Sequence, residues 1–211
     1  MTTILITAGP TYEPIDPVRF IGNRSSGKQG ITIAKAFAEK NYTVNLIIGP
    51  VENILLENLS NYIKIIKVNT AEEMLAASLK YIDCDIAIHC AAVSDFRPKN
   101  ISPVKIKKDS AISLNDIEFV ENPDILANFC SHKNRPKIVI GFTAETNNLI
   151  KNAKKKLIKK GCDYIIANNV SNGKVFGQDK NKVFVISKNS IEEWPEMTKL
   201  EIGKKLVEKF L

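Results

Sequence analysis

The chain has 211 residues, 44% of them hydrophobic and 25% charged, the make-up of a globular domain with a substantial core. No apolar run approaches the roughly 20 residues needed to cross a bilayer, and no basic stretch followed by an apolar one opens the chain as a secretory signal would, so no membrane partner and a cytoplasmic location are expected. The net charge of +7 is carried almost wholly by lysine; with no helix-turn-helix, zinc-finger or aromatic RNA-binding motif beside it, it speaks for small anionic ligands or a lysine-rich surface and against nucleic acid.

The first predicted strand is Ile4–Thr7, and a loop of about fifteen residues follows it before a helix opens near Ser25-Ser26. Loops of that length inside a compact domain are usually functional. This one carries Glu13, Asp16, Arg19, Asn23, Arg24 and two hydroxyls placed to cap the helix. A helix start offers unpaired N–H groups and the positive end of the dipole, so an anion site is expected there. Gly22 to Gln29 nearly spells the phosphate loop G-x-x-x-x-G-K-[ST], but Gln29 replaces the hydroxyl that would hold Mg²⁺ and no strand is expected to run directly into Gly22.

Further apolar, β-branched runs follow at Thr43–Ile48, Ile63–Val68, Asp85–Cys90, Ile138–Gly141, Tyr164–Ala167 and Val183–Ile186. Helical patterns lie at Ser26–Lys40, Thr70–Tyr81 (opened by a Thr70/Glu73 capping box), Thr146–Lys160 and Met197–Leu211. Strands that are apolar throughout and alternate with helices predict an α/β, Rossmann-like, doubly wound and mostly parallel sheet, with ligands at the carboxyl ends of its strands. The chain reads as one domain, 1–211, with neither repeat nor linker. Residues 97–121, holding Pro98, Pro103 and the basic run Lys105 to Lys108, interrupt the alternation between the fourth and fifth strands and read as a flap or β-hairpin arm.

The fourth strand ends in His89-Cys90-Ala91-Ala92-Val93-Ser94-Asp95, whose small residues let a ligand approach the backbone, with Asp95 placed for a ribose hydroxyl or a cation. Asn122 and Pro123 read as cap and first turn of a further helix. Phe142 follows the fifth strand, where it can stack on a nucleobase or pack in the core. The lysines from Lys154 to Lys160 suit a helix C-terminus or a solvated face. The four cysteines form no CxxC and read as reduced core residues, and the two histidines have no metal-ligand spacing with them. No Ser-His-Asp, Cys-His or paired-carboxylate signature appears, which points to chemistry by positioning and charge stabilisation. The fingerprint G-x-G-x-x-G and the Tyr-x-x-x-Lys pair are both absent, which disfavours a nicotinamide-dependent oxidoreductase, the alternative on this fold.

Together the segments LITAGPTYEPIDPVRFIGNRSSGKQG, AAVSDFRP, KIKK, NPDIL, GFTAET, KLIKKGCDYIIANNV and FGQDKNKV resemble, in order, phosphopantothenoylcysteine synthetase, the phosphopantothenate–cysteine ligase of coenzyme A biosynthesis, in its bacterial CTP-using branch. The resemblance implies a homodimer that takes 4′-phosphopantothenate, L-cysteine and CTP with Mg²⁺ and works through an acyl-cytidylate. In many bacteria of that branch the domain follows a flavin-dependent decarboxylase, so a free-standing ligase or one half of a bifunctional chain is implied, with a decarboxylase as possible associate. Carried over by position, Asn23 handles the acyl-cytidylate and Arg19 meets the substrate phosphate. Ala91 and Ala92 offer backbone to the pantothenate part. Asp95, Lys105, the turn Pro123, Asp124, Ile125 and Leu126, then Phe142, Lys156 and Lys160 contact the nucleotide, with Lys105 on the flap. The metal ligands are left open. Gly22 and Thr143 depart from residues usual in the family.

Overall fold

The computed structural model describes residues 2–107, 116–170 and 178–211. Strands β1 (Thr3–Ala8), β4 (Thr43–Ile48), β5 (Ile63–Lys67), β6 (Ile86–His89), β9 (Ile138–Glu145) and β10 (Tyr164–Asn169) form a parallel sheet in the order β5-β4-β1-β6-β9-β10. Two antiparallel strands, β11 (Lys180–Ser187) and β12 (Ile191–Thr198), extend it beyond β10. The order reverses between β1 and β6, and the crevice outside the strand ends at such a switch point is where open α/β sheets bind ligands.

Period-two alternation sends successive residues to opposite faces. On one face Ile4, Ile6, Ile88, Ile140 and Ile166 pack with α1 (Lys28–Ala38) and α5 (Lys199–Phe210). On the other, Leu5, Ala87, Val139 and Ile165 pack with α2 (Ala71–Leu79), α3 (Ile125–Ser131) and α4 (Leu149–Lys160). The helix α1 lies close to β1: a Cβ on Gly30 would sit 2.4 Å from that of Ala8.

The predicted sheet strands and helices all form, and the Thr70/Glu73 capping box is present. Four local expectations are corrected. The long first loop holds a hairpin, β2 (Tyr12–Pro14) with β3 (Phe20–Gly22), so a short strand does run into Gly22, though outside the main sheet. Its acids are structural: buried Glu13 accepts the Ala71 N–H at the start of α2, and buried Asp16 accepts the N–H groups of Val18, Arg19 and Ile106. The serines do not cap α1. Its N-cap is Gly27, at φ 72° and without a side-chain cap, while Ser25 Oγ accepts the Gly27 N–H. The helix after Asn122-Pro123 is capped by Asp124, which accepts the Ala127 N–H; Asn122 instead donates to the Ser94 carbonyl.

The two arms of the 97–121 excursion pair near their base as β7 (Phe96–Pro98) and β8 (Phe119–Glu121). Its outbound arm is fastened to the first hairpin, with the Ser102 N–H on the Ile15 carbonyl and the Arg19 guanidinium on the Ile106 carbonyl. The end of the basic run, Lys108, lies outside the described residues, as do Phe176 and Gly177 of the last motif.

Candidate active site

The loops after β1 and β6 are stitched together. Ala92 N–H donates to the Gly9 carbonyl (2.9 Å), Ser94 N–H to the Thr11 hydroxyl (3.0 Å), and Pro10 bridges to Ala92 in parallel. Above this seam opens a cavity of about 750 Å³. Of the residues singled out from sequence, Asn23, Ala91, Ala92, Asp95, Pro123, Asp124, Ile125, Leu126, Phe142, Lys156 and Lys160 line it, whereas Arg19 and Lys105 do not. Arg19 is held at the hairpin by Asp16, at 2.8 Å. Lys105 is exposed on the anchored arm of the excursion.

The cavity has two unlike sides. On the α1 side, Asn23 Nδ2 donates to the Val93 carbonyl (2.8 Å), which joins the first loop to the fourth-strand loop. The left-handed Gly27 then turns the chain into α1; a Cβ there would lie 2.7 Å from the Val51 side chain. Gly27 has no side chain to cap α1, and the helix start, the positive end of its dipole, borders the cavity.

On the α3/α4 side Lys156 and Lys160 are already partnered. Lys160 pairs with Asp124. Burial opposes the Asp124 charge, but the Lys160 ammonium and the Ala127 N–H outweigh it and hold the carboxyl below its ordinary range. Lys156 donates to the Phe142 carbonyl (2.9 Å), and burial together with the nearby Lys160 charge pushes its ammonium down. The Phe142 side chain packs, partly buried, against the α1/α5 core cluster and also borders the cavity. Lys154 and Lys155 face solvent.

Among the lining residues given no role from sequence are His89, Asn168, Asn181 and Lys199. Lys199, at the start of α5, is buried, donates to the Gln178 carbonyl, and has its ammonium disfavoured first by burial and then by Lys28. Nothing near Lys199 in sequence flags it, because it arrives through tertiary packing. In all, six cations (Arg24, Lys28, Lys156, Lys159, Lys160, Lys199) line the cavity against three acids (Asp95, Glu121, Asp124). A buried lysine whose charge is disfavoured regains it when an anion binds beside it. Burial pushes the Cys90 thiol up to about 12, so Cys90 is not a thiolate at neutral pH. The four cysteines are free thiols, with Cys84, Cys130 and Cys162 buried and Cys90 half-buried. Among the described residues no helix is long and apolar enough to cross a membrane.

The family model described as the DNA/pantothenate metabolism flavoprotein C-terminal domain matches residues 1–211. The chain belongs to this family. It is 45% identical over 206 residues to the coenzyme A biosynthesis bifunctional protein CoaBC of Borreliella burgdorferi, covering 97% of this chain and 51% of that protein. To the CoaBC protein of Haemophilus influenzae it is 41% identical over 210 residues, covering 99% and 51%. The crystal structure of a CoaBC C-terminal domain superposes with a TM-score of 0.80 at 34% identity, covering 99% of this chain and 93% of that one. The chain thus spans about half the length of the curated relatives it matches. Gly22 and Thr143 each have a local role. A Cβ at Gly22 would fall 2.8 Å from the Tyr12 ring, which stacks on Phe20, and Thr143 uses its hydroxyl to donate to Glu145 (2.7 Å).

Proposed function

We propose that this domain is a phosphopantothenate–cysteine ligase that uses CTP. The observation that carries the reading is the cavity at the β1/β6 switch point, lined by excess cations, with the start of α1 on one side and a lysine cluster on the other. Such a site suits a reaction that must bring two anions together. The carboxylate oxygen of 4′-phosphopantothenate attacks the α-phosphorus of CTP, the α–β bridging P–O bond breaks, and pyrophosphate leaves. The cysteine amine then attacks the acyl carbon, loses its proton, and releases CMP. The nucleotide activates the acyl group, so no protein nucleophile is needed.

Asn23 stands at the junction of the two loops, where it meets the acyl-phosphate link. Ala91 and Ala92 offer their backbone to the pantothenate part. Asp95, Asp124, Lys156 and Lys160 serve the nucleotide together with the Pro123–Leu126 turn, and Phe142 meets it from the α1/α5 face while its carbonyl holds Lys156. Mg²⁺ usually takes one or two carboxylates with phosphate oxygens, and Asp95 and Glu121 fit that need; the ion would offset triphosphate charge.

A homodimer accounts for Arg19 and Lys105, which act from outside the cavity, at a partner's site or on closure of the excursion. An exposed apolar surface supports this assembly. The two small ribbons touch through β2 and β7, and Val18, Phe20, Phe96, Ile101, Val104 and Phe119 are all about half exposed or more. A decarboxylase, on the same chain or another, is the expected consumer of the product.

The test is pyrophosphate release with 4′-phosphopantothenate, Mg²⁺ and each nucleoside triphosphate in turn, with and without cysteine. Release with CTP, coupled to CMP formation and cysteine consumption, is expected. A folded protein that releases none with any nucleotide overturns the reading.

A further inference from the structure

His89 is the last residue of β6, paired in register with Thr7 of β1 and Gly141 of β9, so it sits at the switch point itself. It is 7% exposed, and its ring lies edge-on to Phe129 of α3, at 4.8 Å between centroids. Neither ring nitrogen has a partner among the described residues, yet the residue borders the cavity. Buried polar atoms are nearly always hydrogen-bonded, and each one that is not costs stability. Alternation along β6 explains which side it serves. Ile86 and Ile88 belong to the α1/α5 core, whereas Ala87 faces the α2/α3/α4 core, as His89 does through Phe129. Asp124, paired with Lys160, is the acid close enough to act on the imidazole.

We propose that His89 is a nucleotide-contacting residue whose imidazole hydrogen-bonds a polar group of the nucleoside triphosphate on the α3/α4 side of the cavity. The inference rests on the assignment of that side to the nucleotide. Burial pushes the imidazole down to about 4, so it is neutral at physiological pH and offers one N–H donor and one nitrogen acceptor. The contact makes His89 a determinant of nucleotide affinity and leaves the cysteine step to other groups.

The chain contains two histidines, and the second, His132, accepts the Asn134 N–H away from the cavity, which supplies an internal control. Imidazole NMR resonances are followed in the wild-type protein as CTP, 4′-phosphopantothenate and cysteine are added separately. CTP is expected to move the His89 signals and leave those of His132 in place, with no His89 response to the other two. A response to 4′-phosphopantothenate and not to CTP, or to none of the three, overturns the proposal. In steady state, His89→Phe is expected to raise KM for CTP about tenfold, the scale of one lost hydrogen bond, with KM for cysteine unchanged and partial recovery in His89→Asn. A folded His89→Phe protein with unaltered KM for CTP overturns it as well. CTP-induced shifts at His89 without pyrophosphate release would sink the ligase reading and leave the nucleotide contact standing.

Discussion

The two sides of the cavity reach the same end, an attraction for anions, by opposite means. The α1 side sets backbone geometry beside its cations: a left-handed glycine, a helix start and an Asn23 amide bonded to a carbonyl, with Arg24, Lys28 and Lys199 in the lining. The α3/α4 side works through long side chains that are already committed, Lys160 to Asp124 and Lys156 to the Phe142 carbonyl. Backbone donors cannot be exchanged by substitution but depend on how α1 is seated, whereas the lysines can be removed one at a time. The first side should therefore fail all together and the second by degrees.

The largest expected effect follows a new charge on the backbone-built side. Asn23→Asp loses the donor to Val93 and faces the intermediate with a carboxylate. Product formation should slow about a hundredfold while CTP-dependent pyrophosphate release continues; a trapped-intermediate assay with normal turnover would break the assignment. Gly30→Ala should unseat α1 against β1 and cost about 1–3 kcal/mol in denaturant unfolding, as overpacking does, with every substrate's KM raised together. On the lysine side, Lys160→Met should raise KM for CTP about tenfold with little change for cysteine, the loss of one charge-assisted contact. If all the KM values rose equally there, the contrast between the sides would collapse. Lys105→Gln should spare CTP binding and slow the steps after it, because Lys105 lies outside the cavity; weaker CTP binding with unchanged chemistry would make it a simple binding lysine.

The smallest effect is one of pH. The folded His89 imidazole titrates near 4, the unfolded one near 6.5. Below pH 6.5 the unfolded chain takes up a proton that the folded one refuses, so stability falls as pH drops through the window from 6.5 toward 4. At pH 5.5 this amounts to roughly 1 kcal/mol, or about 2–4 °C in Tm. His89→Phe should flatten that slope.

The parallel sheet and its helices were legible because each strand is an unbroken apolar run and each helix keeps its 3.6-residue spacing. The strand β12 was not: Ile191–Thr198 carries glutamates and Pro195 and shows no unbroken apolar run. It is the sheet's edge, where charge discourages further pairing, and Pro195 falls at the bulge between the Asn181 and Val183 pairings. Glu13 and Asp16 looked chemical because each bonds a group far away in sequence, Ala71 for Glu13 and Ile106 for Asp16, besides the nearby Val18 and Arg19 that Asp16 holds. The cavity lining was legible where a motif is continuous, as in Ala91-Ala92 or Pro123 to Leu126. His89, Lys199 and the uncapped Gly27 depend on three-dimensional packing, which spacing alone does not encode.

Lys199 gives the site a history as well as a shape. Gln29, in the first turn of α1, donates to the Lys199 carbonyl, and Gly203 of α5 lies so close to α1 that a Cβ there would touch Ala36 at 3.0 Å. The anion-facing helix is made before the segment that supports it, since α1 precedes α5 in the chain. A nascent chain that has emitted the first loop and α1 therefore has the motif without the site, and ligand can reward folding only after residues 199–211 have docked.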